Sequence, residues 1–191
     1  MNFRGFRFRV ALLAFLILST LGIGAKYLHQ QTQVLGPLVE QIQEISGIVA
    51  VQSGKSVLDR TAKVLVTLEL AQEASLGVVF PQVYQTLLSQ GGNYAVRIKD
   101  EPNGTLLNLF KRVQIAVEEA VVTGEFTLLE HRLEDLAEAG GVSWDLGLDR
   151  EFIYVSLAQG EHSLRRIVSR GSREGRVRVY PDGGDQSWPN G

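Results

Sequence analysis

Hydrophobic spacing changes character four times along this chain. Val10 to Ala25, VALLAFLILSTLGIGA, is sixteen residues without a charge. Leu28, Gln31, Leu35, Leu38, Ile42, Ile45 and Val49 then recur at alternating intervals of three and four. That is the seam of a heptad repeat. From Ala62 the spacing drops to two: Val64, Val66, Leu68 and Leu70 alternate with Lys63, Leu65, Thr67 and Glu69, the pattern of a strand with one apolar face. Beyond it, short segments of period two and period 3.6 follow one another.

These later segments predict a mixed domain. Gly77 to Gln90 reads as a helix with Val79, Val83 and Leu87 inward, Pro81 in its first turn, and Gly91-Gly92-Asn93 as its stop. Tyr94, Val96 and Ile98 form a second strand, so strand, helix and strand make a parallel crossover. Asp100 to Gly104 is a turn cluster. Helices follow from Thr105 to Val121 and from Thr127 to Ala139, the second opened by a Thr127–Glu130 capping box. Val142 to Leu148 and Ile153 to Leu157 alternate around Asp149-Arg150-Glu151 as a hairpin. Glu161 to Arg170, with Leu164, Ile167 and Val168 apolar, reads as a short helix, and Val177 to Tyr180 as a last strand.

The uncharged run changes the picture most. As a helix it rises about 24 Å, short of the roughly 20 residues a span needs, unless Phe8, Tyr27 and Leu28 extend it. Arg4, Arg7 and Arg9 precede it, and Lys26 is the only base after it before Lys55. The basic flank predicts an inside N-terminus and an outside domain. A signal peptide cleaved after Gly24 is the competing reading. The organisation expected is a basic tail over 1–9, a transmembrane anchor over 10–28, a helical, coiled-coil-like stalk over 29–58, an extracytoplasmic α+β domain over 59–180 and a tail over 181–191. Gly36-Pro37 kinks or divides the stalk.

The fold class expected is therefore α+β: one N-terminal transmembrane helix, a stalk, and a small mixed domain. The order of elements in the last half resembles ferredoxin-like and ring-building domains that bacterial secretion and sporulation machines hang from a single span. The layout of tail, span, stalk and small domain also resembles scaffold proteins of pilus and type II secretion assemblies.

Composition narrows the chemistry. The formal net charge of −2 gives no general attraction to nucleic acid, and none is expected as a partner. There is no cysteine, so disulfides, thiolate metal sites and a cysteine nucleophile are excluded. Ser53-Gly54-Lys55-Ser56 ends like a phosphate-binding loop, but Val49 stands where the loop needs its first glycine. His131 shares a helical face with Glu134, two ligands where a metal site needs more. His162 adjoins Ser163 with no oriented base in view. No catalytic residue, metal or cofactor is expected, and the chain reads as a non-enzyme.

Charge is segregated instead. Glu118 to Glu138 holds six glutamates and one aspartate against one arginine; Arg165 to Arg178 holds six arginines against one glutamate. The residues expected to form interaction surfaces are the seam positions Leu35, Leu38, Ile42 and Ile45, the cluster Arg166, Arg170, Arg173, Arg176 and Arg178, and the acidic counterpart Glu130 and Glu134. The function expected is a membrane-anchored assembly protein of a bacterial envelope, joined to the membrane and to copies of itself or other envelope proteins. A binding module for anionic polymer or lipid and a hydrolase are the alternatives.

Overall fold

The segment read as a stalk supplies a nine-residue helix and a strand. The computed structural model describes residues 35–56, 62–171 and 177–180. The chain divides into two units, 1–40 and 41–191. In the first unit only residues 35–40 are described, and they begin helix α1 (Leu35–Gln43). Pro37 lies in its first turn, where a missing N–H costs nothing. In the second unit the chain turns at Gly47, whose φ of +93° suits a residue without Cβ. It then enters β1 (Ile48–Lys55), where Ile48, Val49 and Val51 favour extended backbone.

The coiled-coil stalk is thus corrected. Leu38 and Ile42 are 1% and 0% exposed, so they are core residues and not an open seam. Ile45 is half-buried beyond the helix, and the side chain of Leu35 lies outside the described residues. A spacing of three and four serves an amphipathic helix as well as a heptad, and two turns of it do not separate the two.

The membrane anchor is corrected as well. Among the described residues no helix is long and apolar enough to cross a membrane. The expected anchor over 10–28 lies outside the described residues, with the basic tail. The single-pass topology, the membrane as partner and the cell-membrane placement rested on that run, and its sixteen uncharged residues are short for a span.

Two sheets replace the single ferredoxin-like sheet. After β2 (Val64–Leu70), helix α2 (Leu76–Ser89) leads to β3 (Tyr94–Ile98). β2 and β3 pair in parallel, as the crossover pattern predicts. β1 pairs antiparallel with β2, and β7 (Val177–Tyr180) pairs parallel with β3, giving the order β1-β2-β3-β7. Between β3 and β7 come α3 (Gly104–Thr123), α4 (Phe126–Gly140) and a second sheet. That sheet is an antiparallel meander of β4 (Ser143–Leu148), β5 (Phe152–Gln159) and β6 (His162–Ser169).

β6 occupies the segment expected to be a helix. Gln159 pairs with His162, so Gly160 and Glu161 make a two-residue turn, and Gly160 has a φ of +62°. Leu164, Ile167 and Val168 mimic helical spacing. In the strand, Leu164, Arg166 and Val168 share one face while Ser163, Arg165 and Ile167 share the other. Thr127–Glu130 is likewise not a capping box: α4 starts one residue earlier, with Glu125 at its cap and no side-chain cap bond.

Each face of the meander has its own cover. Ile153, Val155, Leu157, Leu164 and Val168 pack on α3 and α4 through Leu106, Leu109, Val113, Val117, Leu129 and Leu133, with Trp144 and Leu146 at the margin. On the other face, Phe152 and Tyr154 meet Phe80 and Tyr84 of α2; the Phe80 and Phe152 rings stand edge to face with centroids 5.5 Å apart. Helix α2 packs against β4, β5 and β7 and so joins the two sheets. A Cβ built on Gly147 would lie 3.1 Å from the Cα of Gly77, so two glycines let α2 sit directly on β4.

Candidate functional site

Two residues of the expected arginine surface, Arg166 and Arg170, are engaged within the domain, and so is their neighbour Arg165. Arg165 is 5% exposed. It stands on the α2 face of the meander, and its Nη2 donates to the carbonyls of Ala71 (2.8 Å) and Gln72 (3.1 Å) beyond the end of β2. Burial lowers its pKa, and Asp100 opposes that effect. Arg166 stands on the opposite face, 5.5 Å from the centroid of the Phe110 ring. Its Nη1 donates to Asp100 Oδ2 at 2.6 Å. Arg170 lies over Phe126 at 4.5 Å and donates to the Asp149 carbonyl. Arg178 lies on β7, in register with Ala95. Arg173 and Arg176 are outside the described residues.

Their proposed acidic counterpart lies elsewhere. Glu130 and Glu134 are exposed on α4, and Glu134 comes within 3.9 Å of His131. The one arginine of that stretch, Arg132, pairs with Glu119 across the α3–α4 hairpin. The assembly role and the anionic-polymer role are corrected by this geometry. Arg165, Arg166 and Arg170 are engaged within the unit, and two of the seam residues that were to pair with a partner, Leu38 and Ile42, are buried.

Asp100 is the residue that sequence reasoning passed over. It was read as one letter of a turn cluster, yet its side chain is completely buried. Its Oδ2 accepts from Arg166 Nη1 and from the backbone N–H of Arg165 (2.9 Å). That N–H belongs to β6, an edge of the three-stranded sheet, where donors lack a neighbouring strand. Burial pushes the Asp100 carboxyl up to about 6; the Arg165 N–H and the Arg166 guanidinium pull the other way without cancelling it.

Around Asp100 the ends of both sheets are tied together. Gln72 Nε2 donates to the Gly160 carbonyl at 2.6 Å. His162 Nδ1 lies 3.0 Å from the Glu101 carbonyl. Asn103 caps α3, accepting from the Leu106 N–H at 2.9 Å, and donates to Gln159 Oε1 at 3.0 Å. These bonds join the segments after β2 and β3 to the β5–β6 hairpin.

A second polar row crosses the meander. Asp145, Ser156 and Arg165 are cross-strand neighbours on the α2 face. Ser75, at the cap of α2, donates from Oγ to Asp145 Oδ2 at 2.9 Å. A carboxylate there also suits the positive end of the helix. The Ser156 hydroxyl is buried with no hydrogen-bond partner among the described residues. A third cluster lies at the β4–β5 turn, where Asp149 accepts from the N–H groups of Glu151 (2.8 Å) and Phe152 (2.7 Å) and from the Tyr154 hydroxyl. Burial, then that bond to Asp149, raises the Tyr154 pKa.

Among the described residues no group of three or more His, Asp or Glu side chains is placed to hold a metal ion. His131 is exposed, and His162 faces a carbonyl, not the hydroxyl of Ser163. Compared with protein families, curated proteins and solved structures, the chain matches none.

Proposed function

We propose that this chain carries a non-catalytic domain, one that acts through a rigid folded surface and not through a reactive centre. The observation that supports this is how its interior polar groups are used. Asp100, Arg165 and Arg166 each hold one element to another. Asp149 and Tyr154 do the same at the β4–β5 turn. General acid–base or nucleophilic work calls for a group within reach of a base and of a reacting atom. The pair that comes nearest is Ser75 and Asp145, where a hydroxyl meets a carboxylate without a histidine between them.

The test is a turnover screen of the full-length protein against chromogenic esters, phosphate monoesters, glycosides and peptide amides. Ser75→Ala and Asp145→Asn serve as paired controls. The expected result is no turnover that scales with protein concentration. Turnover that scales with protein and falls by a hundred-fold or more in either variant overturns the proposal and assigns the row at the α2 cap as its centre.

A further inference from the structure

Helix α3 turns Leu106, Leu109, Phe110, Val113, Val117 and Ala120 to the core. At 3.6 residues per turn, the middle of its opposite face is Ile115, flanked by Lys111, Arg112, Glu118, Glu119 and Val122, all exposed. Ile115 is 71% and Val122 85% exposed. One exposed aliphatic side chain is ordinary, but the charges around this one are ordered. Lys111 and Arg112 lie four and three residues before Ile115; Glu118 and Glu119 lie three and four after it. Neither base has an acid three or four positions away, and neither glutamate has a base there, so α3 cannot pair these charges along itself. Glu119 reaches Arg132 on α4. Lys111, Arg112 and Glu118 form no ion pair among the described residues.

We propose that this face docks on the same face of a second copy of the chain, with the two helices antiparallel and a two-fold axis at Ile115. That axis brings Ile115 onto its own copy, Arg112 onto Glu118 and Lys111 onto Glu119 of the other chain, and each charge pairing occurs twice. A parallel pair instead sets bases on bases and glutamates on glutamates, so charge selects the antiparallel arrangement. Ile115 supplies the apolar contact where the helices cross. Val122 comes to face Asn108 and the aliphatic stem of Lys111 of the other chain. Two copies of one helix face bury less than the roughly 1,200–2,000 Å² of a stable interface. The dimer is therefore weak, with a dissociation constant of about 1–100 μM. Its face shares no residue with the buried seam or with Arg165, Arg166 and Arg170. It gives the rigid surface of the proposed non-catalytic role a partner, and rests on that role only for its use.

The experiment is sedimentation velocity of the full-length protein over about 1–300 μM at about 50 mM salt, where exposed charges are little screened. The expected result is a reversible monomer–dimer equilibrium. Ile115→Asp sets two carboxylates face to face at the axis and weakens the dimer by about tenfold or more, as do Arg112→Glu and Glu118→Arg, each acting twice. The double variant Arg112→Glu with Glu118→Arg recovers the parent's dissociation constant to within about threefold, and the two single variants mixed together form a heterodimer. Positions 112 and 118 are six residues apart on α3, so that recovery cannot come from pairing inside one helix. Thermal melting of each variant matches the parent, because the changed side chains are exposed. If Ile115→Asp does not fold, the charge-swapped variants decide. A monomer over the whole concentration range overturns the proposal, as does a dimer that survives Ile115→Asp or a swap that brings no recovery. Turnover in the substrate screen overturns the non-catalytic role and leaves the dimer standing, so the two fail separately.

Discussion

Phe80 is the side chain on which the packing of α2 against the three-stranded sheet depends. It is 0% exposed on α2, and its ring meets Phe152 edge to face and lies 6.0 Å from the Tyr154 centroid. Phe80→Ala removes a whole aromatic side chain from between α2 and β5. Truncations of this kind cost about 3–5 kcal/mol, part from lost burial and part from the cavity left behind. The edge-to-face pairs add to that. Against a typical total of roughly 5–15 kcal/mol, the variant keeps only a fraction of the parent's stability. At about 4 °C per kcal/mol its midpoint falls by about 15 °C. The assay is urea and thermal unfolding, followed by far-UV circular dichroism and by tryptophan fluorescence. Phe80→Leu, which keeps most of the volume, costs about 1–2 kcal/mol. A loss below about 1 kcal/mol for Phe80→Ala refutes this reasoning: α2 is then not held on the three-stranded sheet through this ring. Two separated transitions in the parent refute it in another way, since the sheets then unfold independently.

Four other outcomes are expected. Ile42→Lys buries a charge in the core and unfolds the domain, read by loss of cooperative melting, where an open coiled-coil seam leaves the fold intact and changes only the mass in light scattering. Asn103→Ala removes the α3 cap and its bond to Gln159, costing about 1–2 kcal/mol in urea unfolding. Gly147→Ala places a Cβ 3.1 Å from the Gly77 backbone and 3.2 Å from the Tyr154 ring, so α2 must shift, at about 1–3 kcal/mol. Asp100 has a folded-state pKa raised from 3.8 to about 6, so its contribution to stability is fully present below pH 4 and is lost as pH rises through 6. Asp100→Asn therefore flattens the stability profile between pH 4 and pH 7 by about 2–3 kcal/mol.

Period-two and period-3.6 patterns marked most elements correctly. Val64 to Leu70, Tyr94 to Ile98 and the α3 positions Leu106, Phe110, Val113 and Val117 are examples, and the parallel crossover between the first two strands followed from their spacing. β6 failed because it is covered on both faces. Leu164 and Val168 meet α3 and α4 while Arg165 points to the α2 side, and such a strand has no alternation to display. The seam at Leu38 and Ile42 failed for a related reason. Spacing says that a face is apolar, and it does not say whether the domain's own core or another chain covers it.

The candidate site was legible only as a charge count. Six arginines after Leu164 are visible in the sequence, but nothing there pairs Arg166 with Asp100, sixty-six positions away, or sends Arg165 to the carbonyls of Ala71 and Gln72. Composition and periodicity by themselves determined the cysteine-free chemistry, the mixed class and where most helices and strands lie, because these depend on residue type and on neighbours within a few positions. The division into two sheets, the burial of Asp100 and the inward turn of Arg165 and Arg166 were decided by tertiary structure alone. They depend on which faces meet across long separations, and desolvation acts on a side chain only once those faces have closed over it.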